Sequence, residues 1–322
     1  MLDVIEAQTG QRETFRTDVL AGLALPQKAI PSRWLYDDRG SRLFEKITTL
    51  EEYYPTRTET EILKAYASQI ARFCGPRAVI LEYGAGAGIK TEILLHALDQ
   101  PLLYVPIDIA GDFLKLSAAR VDRRFPFIET RPVIADFTRD FDLPADLPEE
   151  VRRCAFFPGS TIGNLDRADA ATFLKRMRRH VRDGGMAIIG FDLKKDIEVL
   201  RAAYDDALGI TAAFNLNILN RMNRELGGDF PIDRFAHVVR WNAEEAAIEM
   251  HIRSVDARDV HVDGKRFPFL AGETIHTESS RKYDLETIER MVGDCGWKVS
   301  EIWTDARQLF AVVGLSAVAA IS

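Results

Sequence analysis

A glycine-rich turn joins an apolar strand, predicted at Ala78–Glu82, to a helix in the run Val79-Ile80-Leu81-Glu82-Tyr83-Gly84-Ala85-Gly86-Ala87-Gly88-Ile89-Lys90. Glycine is required where the backbone approaches a ligand without a Cβ in the way. A dinucleotide-binding turn needs G-x-G-x-x-G, but the residue three after Gly86 is Ile89. The form E-x-G-x-G-x-G is typical of enzymes that bind S-adenosylmethionine. The turn therefore predicts this cofactor, with a purely structural tight turn as the alternative.

Two carboxylates follow the next two predicted strands. Asp108 closes the strand at Leu103–Ile107, 20 residues after Gly88, where an acidic side chain can accept both ribose hydroxyl protons. Asp136 and Phe137 close the following strand, which is predicted at Thr130–Ala135. A carboxylate there can accept from the adenine amine while an aromatic ring covers the adenine. Each aspartate could instead be a helix N-cap, but their order after the glycines favours cofactor binding.

The loop after the fourth strand is the expected place of the methyl acceptor. Gly159 and Gly163 expose backbone carbonyls in this loop, and Asn164 offers an amide that can both donate and accept hydrogen bonds. Asn164 taken alone could as well be a turn residue or a helix cap.

The elements around these residues alternate in hydrophobic pattern. From Thr58 to about Ile197, apolar β-branched runs are separated by amphipathic stretches, which predicts a parallel sheet with helices on both faces. A helix and two strands return after Arg281, as at the end of a methyltransferase-type sheet whose last strand is antiparallel. The expected fold class is α/β, a doubly wound Rossmann-like sheet.

The pattern changes near residue 197, which indicates a second unit. Two helices and then antiparallel strands are predicted, at Asp196–Leu208, Thr211–Glu225, Ala236–Asn242, Ala246–Ser254 and Asp259–Val262. We expect residues 58–197 and 281–322 to form a domain that binds S-adenosylmethionine. Residues 1–57 and 198–280 are expected to form an α+β substrate-binding domain.

Composition narrows the class of protein. With 322 residues, 47% hydrophobic and 28% charged, the chain is too large and too apolar to be disordered or a small disulfide-stapled module. A net charge of −7 argues against nucleic acid as the main ligand and favours a small-molecule substrate. The basic run at residues 175–180 is interpreted as a solvated helix face.

The remaining composition signals concern metals, compartment and membranes. Three dispersed cysteines indicate neither a disulfide framework nor a metal site. The N-terminus lacks an export signal, and the longest apolar tract, Leu309 to Ser322, is shorter than the roughly 18 residues that a membrane helix needs. We expect a cytoplasmic protein with no membrane partner, acting as a monomer.

Several separated blocks are similar to one family. They are Trp34-Leu35-Tyr36-Asp37, Glu52-Tyr53-Tyr54-Pro55-Thr56-Arg57-Thr58-Glu59, Gly159-Ser160-Thr161-Ile162-Gly163-Asn164-Leu165, Ala203-Tyr204-Asp205-Asp206, Thr211-Ala212-Ala213-Phe214-Asn215 and Glu278-Ser279-Ser280-Arg281-Lys282-Tyr283. Over almost its whole length the chain resembles the histidine-specific Nα-methyltransferases of ergothioneine biosynthesis. This family converts L-histidine to its trimethylbetaine, hercynine, with S-adenosylmethionine as methyl donor.

The resemblance implies roles for individual residues. The implied cofactor-binding residues are Gly84, Gly86, Lys90, Asp108, Asp136 and Phe137. The implied substrate-binding residues are Tyr53, Asn164, Tyr204, Met250, Glu278 and Ser280, and the implied catalytic residues are Tyr36 and Tyr53. One departure concerns the glycine turn, which in the family usually reads G-S-G-x-S-x-K-T. This chain lacks the two hydroxyls, which bears on cofactor affinity rather than on reaction type.

Physical chemistry is consistent with these roles. Tyrosine hydroxyls and an asparagine amide can bind an amino-acid zwitterion, each hydrogen bond to a charge contributing about 1.5–3 kcal/mol. A carboxylate at Glu278 and a hydroxyl at Ser280 can fix the two nitrogens of an imidazole. The alternatives are an edge-strand pattern for Glu278 and Ser280, and plain packing for the tyrosines.

Three rival functions are kept. The first is N-methylation of another amino acid or small amine, against which Glu278 argues. The second is a cofactor-binding module without catalysis, acting through protein contacts. A dehydrogenase is the third and is disfavoured by the glycine spacing.

Overall fold

The computed structural model describes residues 2–86 and 88–319. Its helices are α1 (Leu2–Leu23), α2 (Asp38–Ile47), α3 (Tyr54–Ala65), α4 (Ala67–Cys74), α5 (Ile89–Ala97), α6 (Gly111–Arg124), α7 (Arg167–Val181), α8 (Ile197–Ala202), α9 (Ile210–Leu226) and α10 (Leu285–Gly293). Short 3-10 helices span Ser32–Leu35, Thr161–Asn164 and Ile232–Arg234. Within the described ranges, no helix is both long and apolar enough to cross a membrane.

The strands, in chain order, are β1 (Lys28–Ala29), β2 (Val79–Tyr83), β3 (Leu103–Asp108), β4 (Glu129–Thr130), β5 (Val133–Ile134), β6 (Arg153–Phe157), β7 (Met186–Asp192), β8 (Phe235–Asn242), β9 (Ala247–Ser254), β10 (Arg258–Val262), β11 (Lys265–Phe269), β12 (Thr274–Arg281), β13 (Trp297–Thr304) and β14 (Phe310–Ala317). Two compact units divide these elements. One contains the residues up to Tyr54 and Asp196–Ser280, and the other contains Pro55–Lys195 and the chain from Arg281. They are called the first and second unit below.

The second unit is built on one large sheet. Its strand order is β13-β14-β7-β6-β2-β3-β4, and β5 also pairs with β3. The central strands β7, β6, β2 and β3 are parallel to one another, whereas β14 is antiparallel to both β7 and β13. The predicted parallel sheet with an antiparallel last strand is therefore confirmed.

Helices cover both faces of this sheet. On β2, Val79 and Leu81 belong to the same buried cluster as residues of α7 and α10. Ile80, between them, belongs to the cluster formed with α4, α5 and α6. Because successive strand residues point to opposite faces, this alternation shows that the strand is buried on both sides. Its continuous apolar run follows from that double burial.

Two predicted elements are shorter than the sequence suggested. The strand expected at Thr130–Ala135 is divided into β4 and β5, because Pro132 between them has no N–H to donate to the ladder. The helix expected at Asp196–Leu208 ends at Ala202. The Asp206 carboxylate instead accepts the backbone N–H groups of Ile210 and Thr211, at 2.9 and 2.7 Å, and so caps the start of α9.

The first unit contains a smaller sheet with the order β1-β12-β9-β8. As predicted, β8 and β9 are antiparallel, while β10 pairs with β11 in a separate hairpin. Helix α9 lies against this unit's interior with the side chains of Phe214, Ile218 and Met222 buried. The periodicity of the sequence did not predict β11 and β12. Strand β12 reads Thr-Ile-His-Thr-Glu-Ser-Ser-Arg, so it lacks the apolar alternation by which the other strands were recognised.

Candidate functional site

The glycine turn leaves β2 at the carboxyl edge of the large sheet. Gly84 and Gly88 have φ of +69° and +79°, a backbone region that residues with a Cβ rarely adopt. Gly86 has no such requirement, and among the described residues the atom nearest to an added Cβ is the Gly84 carbonyl oxygen, 4.0 Å away. Neither backbone strain nor protein packing explains this glycine. Open space above the backbone suits a ligand, so the turn fits the methionine end of S-adenosylmethionine.

Asp108 lies at the end of β3, directly beside the turn. The backbone N–H of Gly84 donates to the Ile107 oxygen at 2.8 Å, and the Asp108 Oδ1 accepts the N–H of Ala110 at 2.8 Å. Burial raises the pKa of Asp108, although the N–H groups of Ala110 and Ile109 act in the opposite direction. A half-buried carboxylate at this edge is suited to accept two hydroxyl protons of a ribose.

Phe137 and Asp136 follow the neighbouring β5. The Phe137 ring lies 5.5 Å from the rings of Phe157 and Phe173, and its Cε1 would be 3.5 Å from a Cβ added to Gly84. This aromatic ring therefore lies next to the glycine turn. The Asp136 Oδ1 accepts from the backbone N–H and the hydroxyl of Thr138, at 3.0 and 2.6 Å, so it also acts as a turn cap.

Arg176 holds this segment from α7. Its guanidinium donates to the Phe137 carbonyl oxygen at 2.8 Å and pairs with Asp140 at 3.1 Å. Arg176 is 5% exposed, so the interpretation of the basic run as a solvated face is wrong at this residue. The planar guanidinium can reach several acceptors while its stem is packed.

Lys90 is tied to a carboxylate that the spacing did not single out. Its ammonium forms an ion pair with Glu59, a fully buried residue of α3. The two carboxylate oxygens of Glu59 also accept the backbone N–H of Gly159, at 3.0 and 2.8 Å. An added Cβ at Gly190 would lie 2.2 Å from the Glu59 Oε1, so a glycine on β7 makes room for this carboxylate. Glu59 thus joins α5 to the loop after β6.

Asn164 ends the 3-10 helix in that loop. Ser160 precedes the helix with φ of +55°, and its Oγ accepts the backbone N–H of Asp192 at 2.9 Å. At Gly163, an added Cβ would lie 2.8 Å from the Arg281 carbonyl oxygen, so glycine is required for this close backbone approach. The loop that carries the half-buried Asn164 is therefore fixed on both sides within the second unit.

The first unit brings together three tyrosines. Tyr36 lies 5.3 Å from the Phe214 ring and 5.4 Å from the Phe44 ring, measured between ring centroids. Tyr53 lies 6.1 Å from Phe44 and 6.2 Å from Tyr204. These five rings form what we call the aromatic cluster. Aromatic faces attract cations, so the cluster is suited to a substrate that carries an ammonium group.

The aromatic cluster contains a buried carboxylate. The Tyr36 hydroxyl hydrogen-bonds to Glu278, and Glu278 is 7% exposed. Burial raises the pKa of Tyr36 well above its usual value, and the nearby Glu278 charge adds to the effect. The Tyr204 hydroxyl donates to Ser280 Oγ at 2.6 Å. Since Glu278 and Ser280 are two residues apart on β12, they project from the same face of the strand.

Helix α9 holds the segment that carries Tyr36. The Asn217 amide donates to the Asp37 Oδ1 at 2.7 Å, and the same oxygen caps α2 by accepting the N–H of Gly40. The Arg221 guanidinium donates to the Trp34 carbonyl oxygen at 2.9 Å. Residues on both sides of Tyr36 are therefore hydrogen-bonded to α9, which fixes the position of this segment.

Met250, the last of the proposed substrate residues, is buried on β9. Its carbonyl oxygen accepts from the Thr277 hydroxyl at 3.0 Å, and Thr277 immediately precedes Glu278. The candidate residues thus fall into two groups. Tyr36, Tyr53, Tyr204, Met250, Glu278 and Ser280 lie in the first unit, and Asn164 lies in the second unit with the candidate cofactor residues.

Residues of the site that the sequence reasoning missed share one property. Each is a buried polar side chain that hydrogen-bonds a backbone group of the protein, as Glu59, Asn215 and Arg176 do. Glu59 and Asn215 do lie in the blocks shared with the methyltransferase family, which is the only signal that could have pointed to them. Among residues 2–86 and 88–319, no group of three His, Cys, Asp or Glu side chains is arranged to hold a metal ion.

Comparison with known proteins places the chain among methyltransferases. A sequence model of the family described as "Histidine-specific methyltransferase, SAM-dependent" matches residues 15–317. The "Histidine N-alpha-methyltransferase" of Mycolicibacterium smegmatis is 40% identical over 298 residues, which cover 91% of this chain and 92% of that protein. "Ergothioneine biosynthesis protein 1" of Neurospora crassa is 31% identical over 283 residues, which cover 86% of this chain and 32% of that longer protein.

A solved structure agrees at the level of the fold. A possible exported protein from Bordetella parapertussis superposes with a TM-score of 0.52, covering 98% of this chain and 96% of that one, at 10% identity. Identity this low bears on the fold alone. The family assignment rests on the two sequence comparisons, since the family model spans most of the chain and the bacterial relative is similar over nine tenths of it. The chain belongs to the histidine-specific, S-adenosylmethionine-dependent methyltransferase family.

Proposed function

We propose that the chain transfers three methyl groups from S-adenosylmethionine to the α-amine of L-histidine, which gives hercynine in ergothioneine biosynthesis. The observation that carries the proposal is the buried Glu278 carboxylate beside the aromatic cluster. It is hydrogen-bonded by the Tyr36 hydroxyl, and Ser280 lies two residues further along the same strand. An aromatic surround with one carboxylate and one hydroxyl matches an imidazole, whose two nitrogens lie on opposite sides of the ring. Family membership supports the same substrate.

The second unit is proposed to bind the donor, as the sequence predicts for residues 58–197 and 281–322. Gly84 and Gly86 would receive the methionine end, Asp108 the ribose hydroxyls, and Asp136 with Phe137 the adenine. When bound, S-adenosylmethionine supplies an electrophilic methyl group on a sulfonium sulfur. Lys90 would bind the cofactor from the helix that follows the same turn, with its charge neutralised by Glu59.

The first unit is proposed to bind the amino acid, as the sequence predicts for residues 1–57 and 198–280. Glu278 and Ser280 would hold the ring nitrogens, with Met250 beside the ring. Tyr53 and Tyr204 would hold the carboxylate and the α-amine through neutral donors. Asn164, a residue of the second unit, stays a predicted substrate-binding residue on the family resemblance. A substrate without ring nitrogens would offer the buried Glu278 carboxylate no hydrogen-bond donor from its side chain, which disfavours such a substrate.

Tyr36 is proposed to orient the substrate and to pass protons to water. Each transfer needs an amine with a free lone pair, so the ammonium must lose a proton first. The raised pKa of Tyr36 keeps its hydroxyl protonated near neutral pH, which suits a donor to Glu278 better than a full base. Holding the amine in line with the transferring methyl group is the larger contribution, because positioning alone can supply several kcal/mol.

Calorimetric titration tests the substrate. With S-adenosylhomocysteine present, L-histidine should bind at least tenfold more tightly than L-tryptophan or any other natural amino acid. With S-adenosylmethionine, mass spectrometry should show trimethylated histidine as the end product. Preference for another amino acid would support the rival acceptor, and cofactor binding without methyl transfer to any amine would support a regulatory module.

A further inference from the structure

A buried amide on α9, that of Asn215, contacts two neighbouring strands of the small sheet. Asn215 is fully buried, and its Nδ2 donates to the His251 carbonyl oxygen at 3.1 Å. Its Oδ1 lies 2.7 Å from the Thr277 hydroxyl, whose single proton it shares with the Met250 carbonyl oxygen 3.0 Å away. Because a carbonyl oxygen can only accept, the contact with His251 fixes the orientation of the amide. Asn215 therefore bonds β9 and β12 from one side chain.

The second proton of the same amide nitrogen reaches a histidine. Asn215 Nδ2 lies 2.9 Å from His237 Nδ1, and His237 Nε2 lies 2.9 Å from the Tyr204 carbonyl oxygen. Since Nδ1 must accept, the ring proton is on Nε2, which donates to Tyr204. Burial lowers the pKa of His237, although the bond to the Tyr204 backbone opposes this. The ring is thus neutral and held in one tautomer.

The two ends of this chain of bonds are the two sides of the amino-acid site. At one end, Thr277 precedes Glu278 on β12. At the other end is the backbone of Tyr204, whose hydroxyl donates to Ser280. A chain of buried hydrogen bonds restricts the relative positions of the backbones that it joins. Here it joins the turn of Tyr204 to the strand of Glu278.

We propose that Asn215 and His237 form a positioning relay that sets the affinity of the site for L-histidine without touching the substrate. The inference rests on the proposed function, since it takes Tyr204, Glu278 and Ser280 as substrate-binding residues. Small displacements matter in such a site, because hydrogen bonds to charged groups weaken steeply with distance and angle. Loss of the relay should therefore raise the Kd for L-histidine and leave the cofactor site in the second unit unaffected.

Two pairs of variants test the relay by titration with L-histidine in the presence of S-adenosylhomocysteine. Asn215→Leu should raise the Kd for L-histidine at least tenfold and leave the Kd for S-adenosylhomocysteine within twofold. His237→Phe should do the same. His237→Gln should keep the affinity within about threefold of the parent, because the glutamine amide can still donate to the Tyr204 oxygen.

The matched control lies on the same helix. Asn223 donates to the Phe230 carbonyl oxygen at 2.8 Å and accepts its N–H at 2.9 Å, outside the relay. Asn223→Leu should lower the melting temperature but not the affinity for L-histidine. Equal losses in Asn223→Leu and Asn215→Leu, or an unchanged Kd in a folded Asn215→Leu protein, would overturn the proposal. If Asn215→Leu does not fold, the comparison of His237→Phe with His237→Gln decides alone.

A substrate-free measurement separates this proposal from the proposed function. The ¹⁵N spectrum of the parent protein should show His237 as the neutral tautomer protonated at Nε2. Asn215→Leu should abolish the hydrogen bond at Nδ1 and shift that resonance. A His237 ring protonated at Nδ1 would contradict the relay even if L-histidine binds well. A parent protein that does not bind L-histidine would contradict the proposed function even if the tautomer is as expected.

Discussion

The buried carboxylate of Glu59 forms an ion pair with Lys90 and also accepts the backbone N–H of Gly159 with both of its oxygens. This arrangement connects α3, the helix after the glycine turn and the loop that leads to Asn164. Lys90 is therefore already neutralised before any ligand arrives. Its side chain is 16% exposed and that of Glu59 is fully buried, so the pair is shielded from water and from salt.

Replacing one partner of the Glu59–Lys90 ion pair should lower the free energy of unfolding more than replacing both. Glu59→Gln leaves the Lys90 ammonium without its counter-charge and should reduce the free energy of unfolding by about 3 kcal/mol. In Glu59→Gln/Lys90→Met, no uncompensated charge remains, so at least half of the loss should be recovered. Urea titrations of Glu59→Gln, Lys90→Met and the double variant complete the double-mutant cycle.

An exposed ion pair of the same unit provides the control. Lys194 and Asp284 are 2.6 Å apart and each is 46% exposed. Lys194→Met should cost less than about 1 kcal/mol, because solvent screens such pairs. A loss in Glu59→Gln no larger than in Lys194→Met would show that the buried pair contributes nothing special.

A second prediction concerns Gly86. Since an added Cβ at this position meets open space rather than protein, Gly86→Ala should leave the melting temperature nearly unchanged. The Cβ would occupy the space proposed for the methionine end of the cofactor, so the Kd for S-adenosylhomocysteine should rise at least tenfold. Calorimetric titration and thermal unfolding measure the two effects separately.

Two other glycines control for the substitution itself. Gly293, at the end of α10, has no described heavy atom within 4 Å of an added Cβ. Gly293→Ala should leave the affinity for S-adenosylhomocysteine unchanged and should not lower the melting temperature. Gly84 has φ of +69°, so Gly84→Ala should lower stability as well as affinity. Undiminished cofactor binding in Gly86→Ala would remove the ligand from this turn.

A third prediction separates the two ligands. Glu278→Ala should lower kcat/KM for L-histidine at least tenfold and leave the affinity for S-adenosylhomocysteine within twofold, because Glu278 and the cofactor residues belong to different units. Asp108→Ala should do the reverse, with weak cofactor binding as the primary defect. Steady-state kinetics and titration with each ligand measure both.

Amide variants refine the comparison. Glu278→Gln keeps an acceptor for the Tyr36 hydroxyl but loses the charge, so its defect should be smaller than that of Glu278→Ala. Asp108→Asn keeps the acceptor that bonds the Ala110 N–H, yet it can no longer accept two ribose protons. Parallel losses of both ligands in Glu278→Ala would contradict the role given to this carboxylate.

Sequence reasoning recovered the elements whose pattern reflects burial on both faces. Val79–Tyr83 and Leu103–Asp108 are short apolar runs between amphipathic helices, and each lies within a residue of its predicted place. Strand β12 was not predicted because several of its buried side chains, among them Thr277, Glu278 and Ser280, are polar. The residues Glu278 and Ser280 could therefore be proposed from the family resemblance but not from periodicity.

The supporting contacts were beyond the sequence for another reason. Glu59 meets Gly159 across 100 residues, and Asn215 meets Thr277 across 62 residues. Hydrogen bonds of this kind depend on where the backbone of a distant element passes, and neither hydrophobic pattern nor residue type encodes that. Residues that are expected to touch ligand are recognisable by their chemistry, whereas those that hold the site together are recognisable only in three dimensions.

The last prediction concerns Glu82 at the end of β2. Burial raises its pKa to about 7, although hydrogen bonds from Tyr104 and Thr91 act in the opposite direction. In the unfolded chain a glutamate releases its proton near pH 4.5. The folded state thus holds an extra proton between about pH 4.5 and 7, so the contribution of Glu82 to stability is largest at low pH and is lost as the pH rises through this window.

Glu82→Gln should therefore gain stability relative to the parent protein as the pH rises. At pH 5 the two proteins should differ little, and by pH 8 the balance should have shifted toward the variant by roughly 3 kcal/mol, the value of the pKa difference. Urea titrations at pH 5, 6, 7 and 8 give the difference directly. A difference between Glu82→Gln and the parent protein that stays constant from pH 5 to pH 8 would mean that Glu82 ionises in the folded protein as it does in the unfolded chain.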